Sequence, residues 1–483
     1  FILYFIIWLH LECGISRSNC RKAWDMIVHI IKMISRQDTH GFVVPNIPSD
    51  LQTISKSFKI EFELERYVCC QRCYALYDIK VAPSYCDKKI SANSVPCGTE
   101  LFKISKLKPL SVINFTTKDP EVFRAPRQIG HIRLSGQPRL RIPYTSFITQ
   151  SLSDWLKWFI NTPETENQIE EWTSSLSSKC SSKISDVLQA KCWKIIMGTD
   201  GPQTNLNLGF SLFIDWFNPR GNQISGKQVS MGIIALNCLN LPPRLRFKQD
   251  YTCLSGIIPA PNQPDMFTTN NILRPLVDDL LVLSQGIKIS TPKYPHGRKV
   301  TVRLIGLIGD VVATHKVSGF MSHSAKQFCS WCEINNDERC TLNLGTLRNK
   351  NKVLALSCKW KETPSTTARQ RLSRQTGVRW SELNRLPYWD PVLCVVLGIM
   401  HNWYKGVLWH HFRFRWGFDI EVFHETTKES DNSEIESETM DLDATGDSDT
   451  SNEQTNDPVV GYLSNDLKET LKKNSKRSSF QRE

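Results

Sequence analysis

Four cysteines between residues 70 and 97 have the spacing of a closed metal site. In YVCCQRCYALYDIKVAPSYCDKKISANSVPCGTELF, Cys70 and Cys73 make a C-x-x-C knuckle, and Cys86 and Cys97 supply a second pair, the layout of a zinc ribbon. Four thiolates around Zn2+ complete a tetrahedron with no open position, so such a site holds structure and does no catalysis. Gly98 allows a tight turn after Cys97, and Cys69 falls outside the two-residue gap. The plainer alternative is a set of buried free cysteines, since free Cys packs as a small hydrophobe.

Two aspartates carry the other chemistry. Asp215 closes the apolar run of LNLGFSLFIDWFNPRGN, where Asn-Pro and Arg-Gly-Asn form turns. Asp310 closes the strand-like half of TVRLIGLIGDVVATHKVSGF. Facing each other on neighbouring strands, they would bind Mg2+ or Mn2+ through hard oxygen ligands. Two such ions can activate an attacking oxygen and stabilise a leaving one in phosphoryl transfer. The alternative for each is a solvated turn residue. Asp200 reads as a cap before the strand, and Asp278 and Asp279 as surface acids of a helix. Cys329 and Cys332 form another C-x-x-C whose partners, His323, Cys340 or His401, spacing does not fix. His315, Ser318 and Ser324 lack a nucleophile elbow.

These residues need elements to position them. Residues 12–36 have helical periodicity with Ser16 or Ser18 as N-cap, and a second helix starts near Asp50. Residues 151–193 are again helical, with Trp155, Leu156, Phe159, Ile169 and Trp172 as core. Leu206–Ile214, Val229–Leu236 and Val300–Ile308 read as strands, with a helix through Ile272, Leu276, Leu280 and Leu283 between the last two. Strand, strand, helix, strand argues an α/β domain. The expected organisation is a helical segment over 1–62, the ribbon over 63–105, a linker and helical segment over 106–195, an α/β core over 196–420 and a disordered acidic tail over 421–483.

The formal charge of +12 is uneven. Thirteen acids stand against Lys428 alone between Glu421 and Asp457, so the rest of the chain carries +24. That tail cannot bury enough apolar surface to order itself, while the basic remainder suits a polyanion, nucleic acid above all. Arg244, Arg246, Arg298, Lys299 and Arg303 are candidate phosphate contacts, or equally solvated charges. Trp380, Trp389, Trp403, Trp409 and Trp416 could stack on bases, but core packing is the better reading. The apolar start, Phe1–Leu11, is too short to span a bilayer and reads as a buried helix of a soluble chain cut at its start. The 16 cysteines, several closely paired, favour thiolate metal sites over disulfides.

Several strings resemble CACTA-type transposases of the DDE class, especially the fungal branch. They are DWFNPRGN, LNLPPRLR, SGIIPAPNQP, LRPLVDDL, GDVVATHKVSGFMSHSAKQFCSWC and WDPVLCVVLGIMHNWYKGVLWHHFRFRWG, with CYALY and CGTELF in the ribbon. The resemblance spans roughly residues 40 to 417. It implies a ribonuclease H-like mixed sheet, Mg2+-dependent cleavage and joining at transposon ends, DNA ends and target as partners, a nuclear location, no membrane and an open question of homo-oligomerisation. Asp215 and Asp310 match the family's first two catalytic carboxylates, Cys329 and Cys332 its core C-x-x-C, and His401 the histidine of a later Asp/Cys-x-x-His motif. Gly398 stands where that motif has its acid or cysteine, and the family's distal glutamate has no counterpart before the acidic tail. Two readings follow: a truncated or degenerate transposase, or a catalytically dead DNA-binding or scaffold descendant.

Overall fold

The structure, a computed structural model, describes residues 2–11, 13–35, 64–106, 139–177, 183–198, 204–218, 230–341 and 343–416. It divides into two compact units, Phe1–Glu65 and Arg66–Glu483. The helix expected near Asp50, Asp200 and the acidic tail lie outside the described residues.

The first unit pairs α1 (Ile2–Leu11) with α2 (Arg17–Ser35). Ser16 accepts from the Asn19 amide, which sets the start of α2. Ile6, Cys20 and Trp24 form its buried core. Only one side of α1 is covered: Tyr4, Phe5 and Trp8 are exposed, so the expectation of a buried helix holds for Ile6 and Ile7 alone. No described helix is long and apolar enough to cross a membrane.

The second unit begins with β1 (Leu64–Cys69), β2 (Leu76–Asp78), β3 (Phe102–Lys106), β4 (Arg139–Pro143) and β5 (Ser146–Gln150). Helices α3 (Leu152–Asn161), α4 (Thr165–Ser177) and α5 (Lys191–Met197) follow. Next come β6 (Leu206–Phe217), β7 (Met231–Cys238), α6 (Pro243–Arg246), β8 (Thr252–Ile258), α7 (Thr269–Gln285), β9 (Ile287–Ile289) and β10 (Arg298–Gly309). The described part closes with α8 (Val311–Ser318), α9 (Lys350–Glu362), α10 (Thr366–Thr376), β11 (Val395–Leu397) and π-helical turns over Met400–Leu408 and His411–Arg415.

Nine described strands make one mixed α/β sheet in the order β11-β10-β6-β7-β8-β5-β1-β2, with β9 paired on β10. β6 pairs antiparallel with β7, and β7 with β8. β10 is parallel to β6 and to β11. The central strands β6 and β10 are buried almost throughout, as expected of strands covered on both faces. Trp155, Leu156, Phe159 and Ile169 enter the main core, as do Ile272, Leu276, Leu280 and Leu283 of α7. Trp172 is only half-buried. The approach of α5 is close: a Cβ on Gly209 would lie 2.5 Å from the Trp193 ring, so this strand position accepts no side chain without a shift.

Buried ion pairs fix helices to the sheet and to neighbouring turns. Arg298 at the start of β10 meets Glu166 at 2.8 Å and also Glu170 on α4. Arg246 meets Asp186 at 2.9 Å. Truncating one member of such a pair leaves a buried charge and costs roughly 3–5 kcal/mol.

Candidate functional site

The two knuckle cysteines are presented where β1 ends and the chain turns back into β2. Cys70 N–H donates to the Ala75 carbonyl, and Tyr74 N–H to that of Cys70. Tyr74 takes the turn at φ +55°, with its ring buried. The second pair arises differently, from two antiparallel arms. Cys86 N–H donates to Thr99 O, and Gly98 N–H, at φ +70°, donates back to Cys86 O. This closes a loop from Cys86 to Cys97.

The four Sγ atoms lie within 4.8 Å of one another. Cys73 and Cys86 are 3.4 Å apart, and Cys70 and Cys97 are 3.8 Å apart. A zinc–sulfur distance of 2.3 Å gives a tetrahedral S–S edge of about 3.8 Å, so the cluster fits a metal such as zinc. Hydroxyls complete the surroundings: Tyr77 Oη lies 3.2 Å from Cys86 Sγ and Thr99 Oγ1 3.1 Å from Cys97 Sγ. The Cys73 thiol bonded to Cys70 draws Cys70 down to about 4. The same bond pushes Cys73 up, and burial pushes Cys86 up. A divalent ion would remove that conflict, because it stabilises every thiolate at once. Cys69 is outside the cluster and packs in the main core.

The aspartates are set by strand register. The parallel ladder of β6 and β10 starts with Val300 opposite Leu206, an offset of 94. An irregularity between Leu304 and Gly306 inserts one residue, and the ladder ends with Ile308 opposite Phe213, an offset of 95. Two residues further on at that offset stand Asp310 and Asp215. Without the bulge Asp310 would fall level with Trp216, because a one-residue slip exchanges the faces of a strand. Both acids are half-buried, and if the register continued to them they would stand on strands about 4.8 Å apart.

Each carboxylate also has local work. Asp310 caps α8, its Oδ1 accepting from Ala313 N–H at 2.5 Å. Asp215 Oδ1 accepts from Trp216 N–H at 2.8 Å. On the other flank of Asp310, Gly398 N–H donates to Gly309 O at 2.6 Å, directly after the β10–β11 pairing of Gly309 with Leu397. β11, β10 and β6 are thus adjacent, with Gly398 and Asp310 directly after the first two and Asp215 two residues before the end of the third.

Residues 191–367 match the family model for transposase family tnp2. No curated protein matches the chain. The tnp2 segment contains β6 to β10 with both aspartates, Cys329 and Cys332, and ends in α10. The four-cysteine cluster and Gly398 lie outside it. The match supports a transposase-related function, with DNA as the partner that such a function implies.

Cys329 and Cys332 stay a pair. Among the described residues, Cys70, Cys73, Cys86 and Cys97 are the one group of three or more metal donors, so neither His323 nor Cys340 completes a second site. The side chain of His401 lies outside the described residues. Arg348 lies against the pair instead, its Nε donating to the Cys329 and Cys332 carbonyls at 2.8 and 3.2 Å.

Four of the five arginine and lysine candidates have structural partners, Arg244 donating to Gln168 Oε1 at 2.8 Å. Arg246 and Arg298 are buried in their ion pairs, and Arg303 donates to the carbonyls of Ile196 and Met197. Of the tryptophans, Trp389 is core, whereas Trp403, Trp409 and Trp416 are exposed. Asp279 accepts from Leu152 N–H at the start of α3, and Asp278 pairs with Arg385. His315 is buried, bonded through Nδ1 to Met321 O, and desolvation pulls it down to about 4.

One residue near the aspartates escaped the sequence reading. Lys316 of α8 places Nζ 4.6 Å from the Trp216 ring centroid and 3.2 Å from Gln263 Oε1. Its proximity to Asp310 in sequence was visible, but its reach back over the residue next to Asp215 depends on the fold.

Proposed function

We propose that this chain is part of a CACTA-type DDE transposase, of the fungal branch, that acts in the nucleus and cuts and joins DNA at transposon ends with Mg2+ or Mn2+. The main support is the parallel pairing of β6 and β10, whose register ends with Ile308 opposite Phe213 and, continued for two residues, would set Asp310 beside Asp215. β7, α6, β8, α7 and β9 separate them in sequence, which leaves room for the two strands and one helix of a ribonuclease H-like core. The four-cysteine cluster is then a structural zinc ribbon, and Cys329 and Cys332, with or without His401, are a second, lesser zinc candidate.

In this reading Asp215 and Asp310 hold the divalent ions, which supply charge neutralisation and an activated oxygen at the scissile phosphodiester. The cap to Ala313 fixes the rotamer of Asp310, and the strand fixes the backbone of Asp215, so the donors are ordered before substrate arrives. The Lys316 ammonium beside Trp216 adds positive charge where a phosphate would approach. Water attack on the phosphodiester would free a 3′-hydroxyl, which then attacks target DNA.

Gly398 favours a second reading. It follows β11 and stands where the resembled family's Asp/Cys-x-x-His motif has its acid or cysteine, so among the described residues Asp215 and Asp310 have no donor beside them from that position. A chain of this kind would bind DNA without cutting it. The discriminating experiment measures Mn2+ binding and nicking of supercoiled DNA for the chain and for Asp215→Asn and Asp310→Asn. The catalytic reading expects nicking that either substitution abolishes, with Mn2+ affinity reduced about tenfold or more. Unchanged Mn2+ binding in both variants would overturn the metal assignment. Intact Mn2+ and DNA binding without nicking would select the second reading.

A further inference from the structure

The loop between Cys86 and Cys97 is docked against the α9–α10 hairpin, and together they expose a cationic ridge. We propose that this ridge carries the phosphate backbone of duplex DNA. The inference rests on the transposase reading for its partner and adds the surface on which that partner lies.

Two contacts make the ridge one body. Asn93 N–H of the loop donates to Pro364 O, between the two helices, at 3.2 Å. Arg369 of α10 donates through Nη1 to Ile90 O of the loop at 2.6 Å. The same guanidinium donates to Thr363 O and Lys361 O, and it lies 4.8 Å from the centroid of the buried Trp360 ring. Arg369 is therefore committed to joining loop and hairpin, and other cations are left to face outward.

Those cations are Lys88 and Lys89 on the loop, Lys359 and Lys361 on α9, and Arg371 and Arg374 on α10, all exposed. Arg371 and Arg374 are three apart and share a helix face. None of the six forms an ion pair among the described residues. Lys361 lies over the Trp380 ring at 3.8 Å. Asp87, the acid next to the loop lysines, accepts from Tyr77 Oη and caps no ridge cation. Residues 350–374 hold seven Lys and Arg against Glu362 alone, a density far above that of a chain whose net charge is +12 over 483 residues.

The chemistry selects a duplex backbone. Binding to single strands needs aromatic faces on which bases stack, and here Trp360 is buried while Trp380 is covered by Lys361. What remains is a row of point charges, which neutralise phosphates and release counterions without reading sequence. The ridge also depends on the metal, because Cys86 and Cys97 close the loop that presents Lys88 and Lys89.

The test uses the full chain and a fluorescein-labelled duplex of mixed sequence, with anisotropy followed over a KCl series. The double substitutions Lys88→Gln with Lys89→Gln, and Arg371→Gln with Arg374→Gln, should each lower the slope of log K against log [KCl] by about two. Affinity at low salt should fall on the order of tenfold. Lys191→Gln with Lys194→Gln, exposed on α5, serves as the equal-charge control. Zinc chelation should weaken binding by the unsubstituted chain and cost little further in the loop double variant. Losses no larger than those of the control pair would overturn the proposal, and so would a stronger response to phosphatidylserine vesicles or single-stranded RNA than to the duplex. A chain that binds through the ridge but never nicks would sink the catalytic reading alone. A chain that nicks while both ridge variants bind as before would sink this one alone.

Discussion

The four-cysteine cluster and the sheet end proposed to hold divalent ions are built on opposite principles. In the ribbon, donors from a single stretch of 28 residues converge on one point, and each turn that aims them is local: the knuckle at Tyr74, the bridge of Cys86 with Thr99, the positive φ of Gly98. Asp215 and Asp310 are 95 residues apart in sequence, and the proposal that they meet depends on strand pairing, on a bulge at Ile305 and on a helix cap. The local site is complete, with four donors. Among the described residues the proposed non-local site offers Asp215 and Asp310, with Gly398 following the neighbouring β11. A site held by sequence neighbours survives drift in the rest of the fold, whereas a site held by register can lose a member while the sheet around it stays intact.

The contrast can be broken most forcefully at the ribbon. Structural zinc sites contribute apparent binding energies of about 10 kcal/mol or more, so Cys73→Ser should abolish stoichiometric zinc and unfold the region around residues 66–102. Atomic absorption would measure the metal, and amide exchange would report the order. The comparison predicts that β6 and β10 keep their protection. Because β1 and β2 continue the same sheet beyond β5, loss of protection in β6 as well would show that the two regions form one cooperative unit.

A smaller effect separates the regions by pH. Burial holds His315 neutral in the fold, down to about 4 from its ordinary 6.5. Between those values the unfolded chain binds a proton that the folded chain refuses, so stability declines as pH drops from about 6.5 toward 4. The slope approaches 1.4 kcal/mol per pH unit and levels off below that window. Denaturant titrations of the chain and of His315→Asn should differ in this slope. Zinc release, followed separately with a chromogenic chelator, should have the same acid profile in both.

The same contrast explains what the sequence disclosed. The cysteine spacing located the cluster because its geometry is local, and the periodicity of residues 151–193, 206–214 and 300–308, with that of Ile272, Leu276, Leu280 and Leu283, located helices and strands around the main core. Nothing in those patterns could reveal that β1, β2 and β5 would extend the same sheet, since strand order is a property of the whole chain. Nor did charge distinguish Arg246 and Arg298, which are buried against Asp186 and Glu166, from Lys88 or Arg371, which are exposed. An arginine has one composition signature and two fates, decided by whether a distant carboxylate folds against it. The bulge that brings Asp310 level with Asp215 is likewise silent in sequence: Ile305 is one apolar residue in an apolar strand.

The finest distinction lies within Asp310 itself, which is both a proposed metal ligand and the cap of α8. Asparagine caps a helix about as well as aspartate, whereas alanine forfeits roughly 1 kcal/mol. Asp310→Asn should therefore melt like the parent chain, and Asp310→Ala should be destabilised by about that amount. Both should lose the same Mn2+ affinity, since neither retains a carboxylate. Equal stability of the two variants would mean that the bond to Ala313 contributes nothing. If only Asp310→Ala weakened Mn2+ binding, the ion would be sensing the order of the helix and not the charge. The register of β6 and β10 would then position a turn, and the sheet end would owe its two acids to capping alone.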